Sequence, residues 1–285
     1  MEQLRELHPD LLLCPGDLTR DGNLHRFELE TMRHDLDSLP FPYYAVGGNT
    51  DTGNKRARVD GPARPGRERD SRLNVTSGAL ERFAGFFGPL YWTVVHRGVR
   101  FTGITDVILG SGLEQEDELW RWLDMLVQLP RLREHILTMH YAIFLDEPGE
   151  EEWDLRDPAQ YMDWYFTMDG SVRARLLEVL KGAGVSRVIS GHIHCRRHTR
   201  VDGICYDYAP STAFAQFTDR WPDGDGTLGI LDYEVGNEGI ECRFVPLRCI
   251  AEDTRGYGPG GHPPPESRDY SQAWEKQGPP GRLRD

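Results

Sequence analysis

An α/β fold with polar residues gathered at the ends of its strands is the class this sequence predicts, and three observations predict it. Short apolar runs at residues 10–14, 43–46, 135–139 and 186–190 alternate with longer segments of helical period. Each run ends in glycine followed by a carboxylate or amide, or in histidine: Gly16-Asp17, Gly47-Gly48-Asn49-Thr50-Asp51, His140, and Gly191-His192-Ile193-His194. The chain of 285 residues is 38% hydrophobic, enough for one large domain, or one domain with a tail.

The elements follow in order. Residues 2–7 carry Leu4 and Leu7 on one face and read as a helix end, broken at His8-Pro9. Residues 10–14 are a buried strand closed by Pro15-Gly16, which leaves Asp17 at its carboxyl end; a turn or helix cap explains Asp17 as well as a metal ligand does. Leu24, Phe27, Leu29, Met32 and Leu36 set a helix over 23–39, and Tyr43 to Val46 form the next strand. Its end at Asn49, Thr50 and Asp51 is also ordinary turn chemistry. Residues 55–72, rich in Arg, Gly and Pro, read as a mobile surface loop, a solvated insertion or a segment that steers an anionic substrate.

A helix at 80–87, a strand pair at 91–95 and 99–104, and a helix at 114–129 lead to the strand that ends in His140. Residues 145–170 are acidic and aromatic, with Trp153, Trp164 and Tyr165, and read as an excursion: a lid over the site or a surface loop. Ser171 is placed as the cap of a helix over 172–181, after which the histidine strand arrives. Strands at 205–210, 228–235 and 241–247 suggest a second sheet packed on the first. The domain is therefore set at 1–250, with surface insertions at 55–72 and 145–170 and a Pro/Gly-rich tail at 251–285.

Composition excludes some classes. A net charge of −13 argues against a nucleic-acid binder. It also disfavours a phosphate substrate, unless a carboxylate-bearing site holds cations that reverse the local sign. Five scattered cysteines, none in a CxxC pair, read as thiols of a reducing cytoplasm. No apolar run reaches membrane-spanning length and the N-terminus lacks a signal-peptide core, so the expectation is a cytoplasmic protein without a membrane partner.

Taken together, Gly16-Asp17, Gly48-Asn49-Thr50-Asp51, the strand-end His140 and Gly191-His192-Ile193-His194 resemble the calcineurin-like metallophosphoesterase family, in its order, over about residues 4–248. The resemblance implies a four-layer αββα sandwich of two mixed sheets flanked by helices, with two metals at strand ends. Asp17 would bridge them, Asn49, His140 and His192 would complete one, and His194 would serve the other. Mixed O and N ligands suit Mn, Fe, Zn or Co. Such a pair would polarise a phosphate ester and activate a hydroxide for in-line attack.

Two departures stand against the family pattern. The first strand, ending in Asp-x-His and supplying the rest of the second metal's ligands, is missing, so this chain fully ligands one metal; the expectation is that the true start lies upstream of Met1. Thr50 stands where the family usually has a histidine that acts on the leaving group, and Asp51, which would orient that histidine, is left to order the loop. Thr50 and Asp51 are thus the candidate catalytic positions. The function expected is a metal-dependent phosphoric ester hydrolase, a phosphodiesterase or phosphatase, acting on a small phosphate ester, with a cyclic nucleotide among the candidates. The alternative is a catalytically impaired member serving as a metal-binding scaffold.

Overall fold

The computed structural model describes residues 1–56 and 73–250. The rest of the expected 55–72 loop and the 251–285 tail lie outside the described residues.

Four strands buried along nearly their whole length form the centre of the molecule, because a parallel strand inside a sheet is covered on both faces. They are β4 (Val99–Ile104), β5 (Glu134–Thr138), β6 (Arg187–Ser190) and β8 (Ile204–Tyr208), paired in parallel. Antiparallel strands close the two edges, β3 (Tyr91–His96) beside β4 and β7 (Arg197–Val201) beside β8, giving the order β3-β4-β5-β6-β8-β7. Arg97 and Gly98, both left-handed, make the tight β3–β4 turn.

One face of this sheet packs on helices α5 (Glu114–Leu126) and α7 (Gly170–Gly182), with Leu119, Leu123, Leu176 and Leu180 meeting Leu137 and Val188. From the other face Phe101, Ile136 and Ile189 meet two further small sheets. One is the parallel pair β1 (Leu12–Cys14) and β2 (Tyr43–Ala45); the other is the antiparallel hairpin β9 (Gly229–Gly236) and β10 (Gly239–Pro246). Helices α2 (Arg26–Asp37) and α4 (Ser77–Phe87) cover β1 and β2 from outside, through Leu29, Leu36 and Phe83 on Cys14 and Ala45. The layers run α, β, β, α. Short helices α1 (Glu2–Leu7), α3 (Asn49–Thr52) and α6 (Pro158–Phe166) complete the described elements used below.

Several expectations are corrected. Strand 205–210 does not join the second sheet with 228–235 and 241–247; its alternating Ile204, Tyr206 and Tyr208 are buried in the large sheet as β8. The strand β7 was not anticipated, because Arg197-His198-Thr199-Arg200 is the polar sequence of an edge. Asp169, not Ser171, is the N-cap of α7. Lys55 is no part of a solvated loop: it is 6% exposed. All five cysteines are free thiols, Cys14 and Cys195 buried. No helix among the described residues is long and apolar enough to cross a membrane.

Candidate metal centre

The site lies on the seam between the two β layers. Asp17 follows β1 and Asn49 opens α3 directly after β2, both from the small parallel sheet. His140 follows β5, and His192 and His194 follow β6, from the large sheet. The polar strand ends do not share one sheet edge; two sets of carboxyl ends face each other.

The backbone bends sharply to deliver these side chains. Asp17, His192 and His194 have φ of 52°, 63° and 52°, a region non-glycine residues seldom occupy. Such conformations persist only where the surroundings impose them, and they cluster at functional sites. Two glycines permit the approach. A Cβ on Gly16 would lie 2.5 Å from His140 Nδ1, and one on Gly48 would lie 2.2 Å from Asp17 Oδ1.

Hydrogen bonds fix which atom each side chain presents. His140 Nδ1 donates to the Pro15 carbonyl (2.8 Å), which leaves Nε2 facing Asn49 Oδ1 at 2.9 Å and Asp17 Oδ1 at 3.2 Å. The Asn49 amide is oriented by its own donors: Nδ2 reaches Asn54 Oδ1 (2.9 Å) and the Tyr165 hydroxyl (3.4 Å). Three lone-pair atoms therefore converge, and electrostatics requires a positive charge among them, a proton on His140 or a cation. His192 completes the set. Its Nε2 donates to the Tyr165 carbonyl (3.1 Å), and its Nδ1 is buried with no hydrogen-bond partner. One ligand atom each from Asp17, His140 and His192 lie within 4.8 Å of one another. An orphaned imidazole nitrogen beside a carboxylate, an amide oxygen and a second imidazole is the donor set of a borderline divalent cation. Each histidine has its other nitrogen on a backbone carbonyl, the usual support of a metal-ligating imidazole.

His194 stands outside that 4.8 Å group. Its Nδ1 donates to the Phe214 carbonyl (3.0 Å) and its ring meets the Phe214 ring edge-on at 4.5 Å, so Nε2 is the atom it offers.

Charge follows the same geometry. Burial works to raise the Asp17 carboxyl pKa, but His140 and His192 outweigh it and hold Asp17 well below the usual carboxylate range. Burial alone would lower His140; the Asp17 charge reverses this and takes it to about 9. His192 lies well below its ordinary value, through burial and then His140, and burial takes His194 down to about 4. Two of the three imidazoles thus favour the neutral, ligating form.

Thr50 and Asp51 shape the Asp17 loop. Thr50 N–H and its hydroxyl both reach Asp17 Oδ1 (3.0 and 2.9 Å), and the hydroxyl also faces the Thr19 carbonyl at 2.6 Å. The fully buried Asp51 carboxylate accepts from Leu18 N, Thr19 N, Thr19 Oγ1 and Gly48 N. Burial, then the Asp17 charge, push its pKa up to about 6.

Three contributors were missed from the sequence. Asp106, just beyond β4, accepts from the backbone N–H of His140 (2.6 Å) and of Tyr141 (2.9 Å), and burial raises its pKa to about 6. The signal was present: Ile104-Thr105-Asp106 is a further apolar strand ending in polar residues. Tyr165, on α6, packs against His192 with ring centres 4.9 Å apart and the planes tilted by 55°. Lys55 lies beneath the same helix; burial lowers its pKa to about 7, against the pull of Asp169 and Asp106.

The αββα layers bring N and O donors together at the seam of the sheets, which makes the seam a candidate metal centre. A family model, calcineurin-like phosphoesterase, matches residues 1–196, which include every ligand candidate, and the chain belongs to this family. It is a metal-dependent phosphoester hydrolase in general terms. The chain is similar to the serine/threonine-protein phosphatase CPPED1 of Danio rerio, at 26% identity over 267 residues, covering 88% of this chain and 74% of that protein. Among solved structures it is similar to GAP50, described as the anchor in the inner membrane complex of Plasmodium: 15% identity, TM-score 0.49, 86% of this chain and 76% of that one. A dimetal phosphatase from Danio rerio gives 14% identity and TM-score 0.43, over 73% and 74% of the two chains.

Proposed function

We propose that this chain hydrolyses small phosphate mono- or diesters, holding one divalent cation through Asp17, Asn49, His140 and His192 and presenting His194 to a second. Manganese, iron, zinc and cobalt all suit the ligand set. One observation carries the reading: one ligand atom each from Asp17, His140 and His192 lie within 4.8 Å of one another, with Asn49 Oδ1 2.9 Å from His140 Nε2 and His192 Nδ1 buried without a partner. When bound, the cations supply Lewis-acid polarisation of the phosphoryl group and a lowered pKa for attacking water.

The chain's own residues do the rest. Asp17 stays ionised through its histidine neighbours, and Thr50 fixes the carboxylate rotamer through Oδ1. Asp51 and Asp106 tie the two ligand loops through four donor groups and two backbone N–H groups, respectively. Thr50 is held on Asp17 and Thr19, and a hydroxyl is no general acid near neutral pH, so leaving groups must depart without its proton. The reading therefore favours esters of acidic alcohols.

The test is manganese-dependent hydrolysis of a bis-aryl phosphate, an aryl phosphate monoester and a cyclic nucleotide by the full chain, each against an alkyl ester of the same class. Turnover with aryl esters ahead of alkyl esters supports the proposal. No turnover by the folded, metal-loaded chain on any of them overturns it.

A further inference from the structure

The seam explains why the ligands meet but not what orients Asn49 and His192. Both lean on one residue of α6. Tyr165 offers its hydroxyl to Asn49 Nδ2 at 3.4 Å and its backbone carbonyl to His192 Nε2 at 3.1 Å. The second contact decides the tautomer: with the proton on Nε2, the lone pair of His192 lies on Nδ1, the orphaned atom of the site.

The end of α6 is itself anchored by a buried cation. Lys55 Nζ donates to the carbonyls of Trp164 and Thr167, which flank Tyr165 on either side. The ammonium also lies over the Trp164 ring (4.2 Å to its centre) and the Tyr141 ring (4.7 Å). Both carbonyls sit at a helix C-terminus, where intrahelical donors run out and a positive charge is favoured. Two carbonyls and two aromatic faces are a complete shell for an ammonium in a dry site. The same stretch reaches Asn49 a second way, since the neighbouring Asn54 accepts from Asn49 Nδ2 at 2.9 Å.

We infer that Lys55 is a positioning residue for the metal centre: by clamping the end of α6, it sets the ligand geometry of Asn49 and the tautomer of His192. The inference rests on the metal-centre reading above. It makes the last turn of α6 part of the site's support. Linkage then requires the converse, that cation binding steadies the end of α6.

The test uses cobalt(II) as the probe, on the full chain and on Lys55→Met, which keeps an unbranched side chain one atom shorter and removes its charge and donors. Circular dichroism establishes that the variant is folded. The expected result is cobalt affinity lower by about 10- to 100-fold, the usual cost of losing an outer support of a metal ligand, with a changed visible absorption spectrum. A change confined to thermal stability, with affinity within about twofold of wild type and the same spectrum, overturns the inference. Should Lys55→Met fail to fold, hydrogen exchange on the wild type decides the matter. The amide of Thr167, which donates to Trp164 in the last turn of α6, is expected to exchange more slowly with cobalt bound; an unchanged rate overturns the inference. Absence of cobalt binding to the wild type overturns the metal-centre reading and this inference together, whereas normal binding with an indifferent Lys55 overturns the inference alone.

Discussion

Replacing Gly48 by alanine tests the site with one methyl group. Gly48 has φ −94° and ψ −178°, backbone that alanine adopts without strain, so any effect is steric. The added Cβ would fall 2.2 Å from Asp17 Oδ1, 2.3 Å from Asp17 N and 2.8 Å from His140 Cε1. Ordinary contact begins near 3.4 Å. Asp17 must therefore retreat by about 1 Å, and a displacement of that size at a reacting centre costs on the order of 100-fold. Expressed as a barrier, that is about 2.7 kcal/mol. Titration of cobalt or manganese into Gly48→Ala measures the affinity, and hydrolysis of a bis-aryl phosphate measures the consequence. Gly85→Ala is the control: it lies within α4 with nothing inside 4 Å of its added Cβ, and should gain about 1 kcal/mol of stability with the site untouched. If Gly48→Ala binds metal and turns over like wild type, the seam between Gly48, Asp17 and His140 is not the site.

Other expectations follow from the same geometry. His192→Ala removes the orphaned Nδ1 and should abolish metal-dependent hydrolysis while the chain stays folded; an unchanged rate would place the chemistry elsewhere. His135 is 1% exposed, its Nδ1 on the Ala183 carbonyl and its Nε2 against Thr102 Oγ1, and burial takes its pKa from 6.5 to about 4. Below pH 6.5 only the unfolded chain takes up that proton, so acidification through the window down to about 4 costs stability. Wild type should lose about 2 kcal/mol more than His135→Gln between about pH 7 and about pH 5, measured by urea unfolding of both; equal losses would refute it. Comparison with the variant is needed because buried Asp51 and Asp106, raised to about 6, gain stability on acidification over part of the same range. Glu150→Ala should destabilise the chain by about 3 kcal/mol, because it removes the carboxylate that pairs with the buried Arg173 guanidinium and leaves only the backbone carbonyl of residue 150 to it; a melting temperature equal to wild type would contradict that.

The ends of β1, β2, β5 and β6 were legible because each is an apolar run closed by residues of ligating type. The seam was not, since membership of one sheet or the other depends on pairings distant in sequence, such as Leu12 with Tyr43 and Arg187 with Cys205. The helix α6 left a readable trace, Asp157 as N-cap followed by Pro158, which the acidic and aromatic run around it obscured. Lys55 left none. In a stretch rich in Arg, Gly and Pro a lysine reads as solvated, and only the fold of α6 over it supplies the carbonyls and aromatic faces that hold it.

Anomalous diffraction from crystals of the full chain grown with manganese tests the central claim most directly. The account predicts a peak bonded to His192 Nδ1, His140 Nε2, Asn49 Oδ1 and an Asp17 carboxylate oxygen. A well-ordered seam with no peak, or with peaks only elsewhere on the molecule, would contradict it.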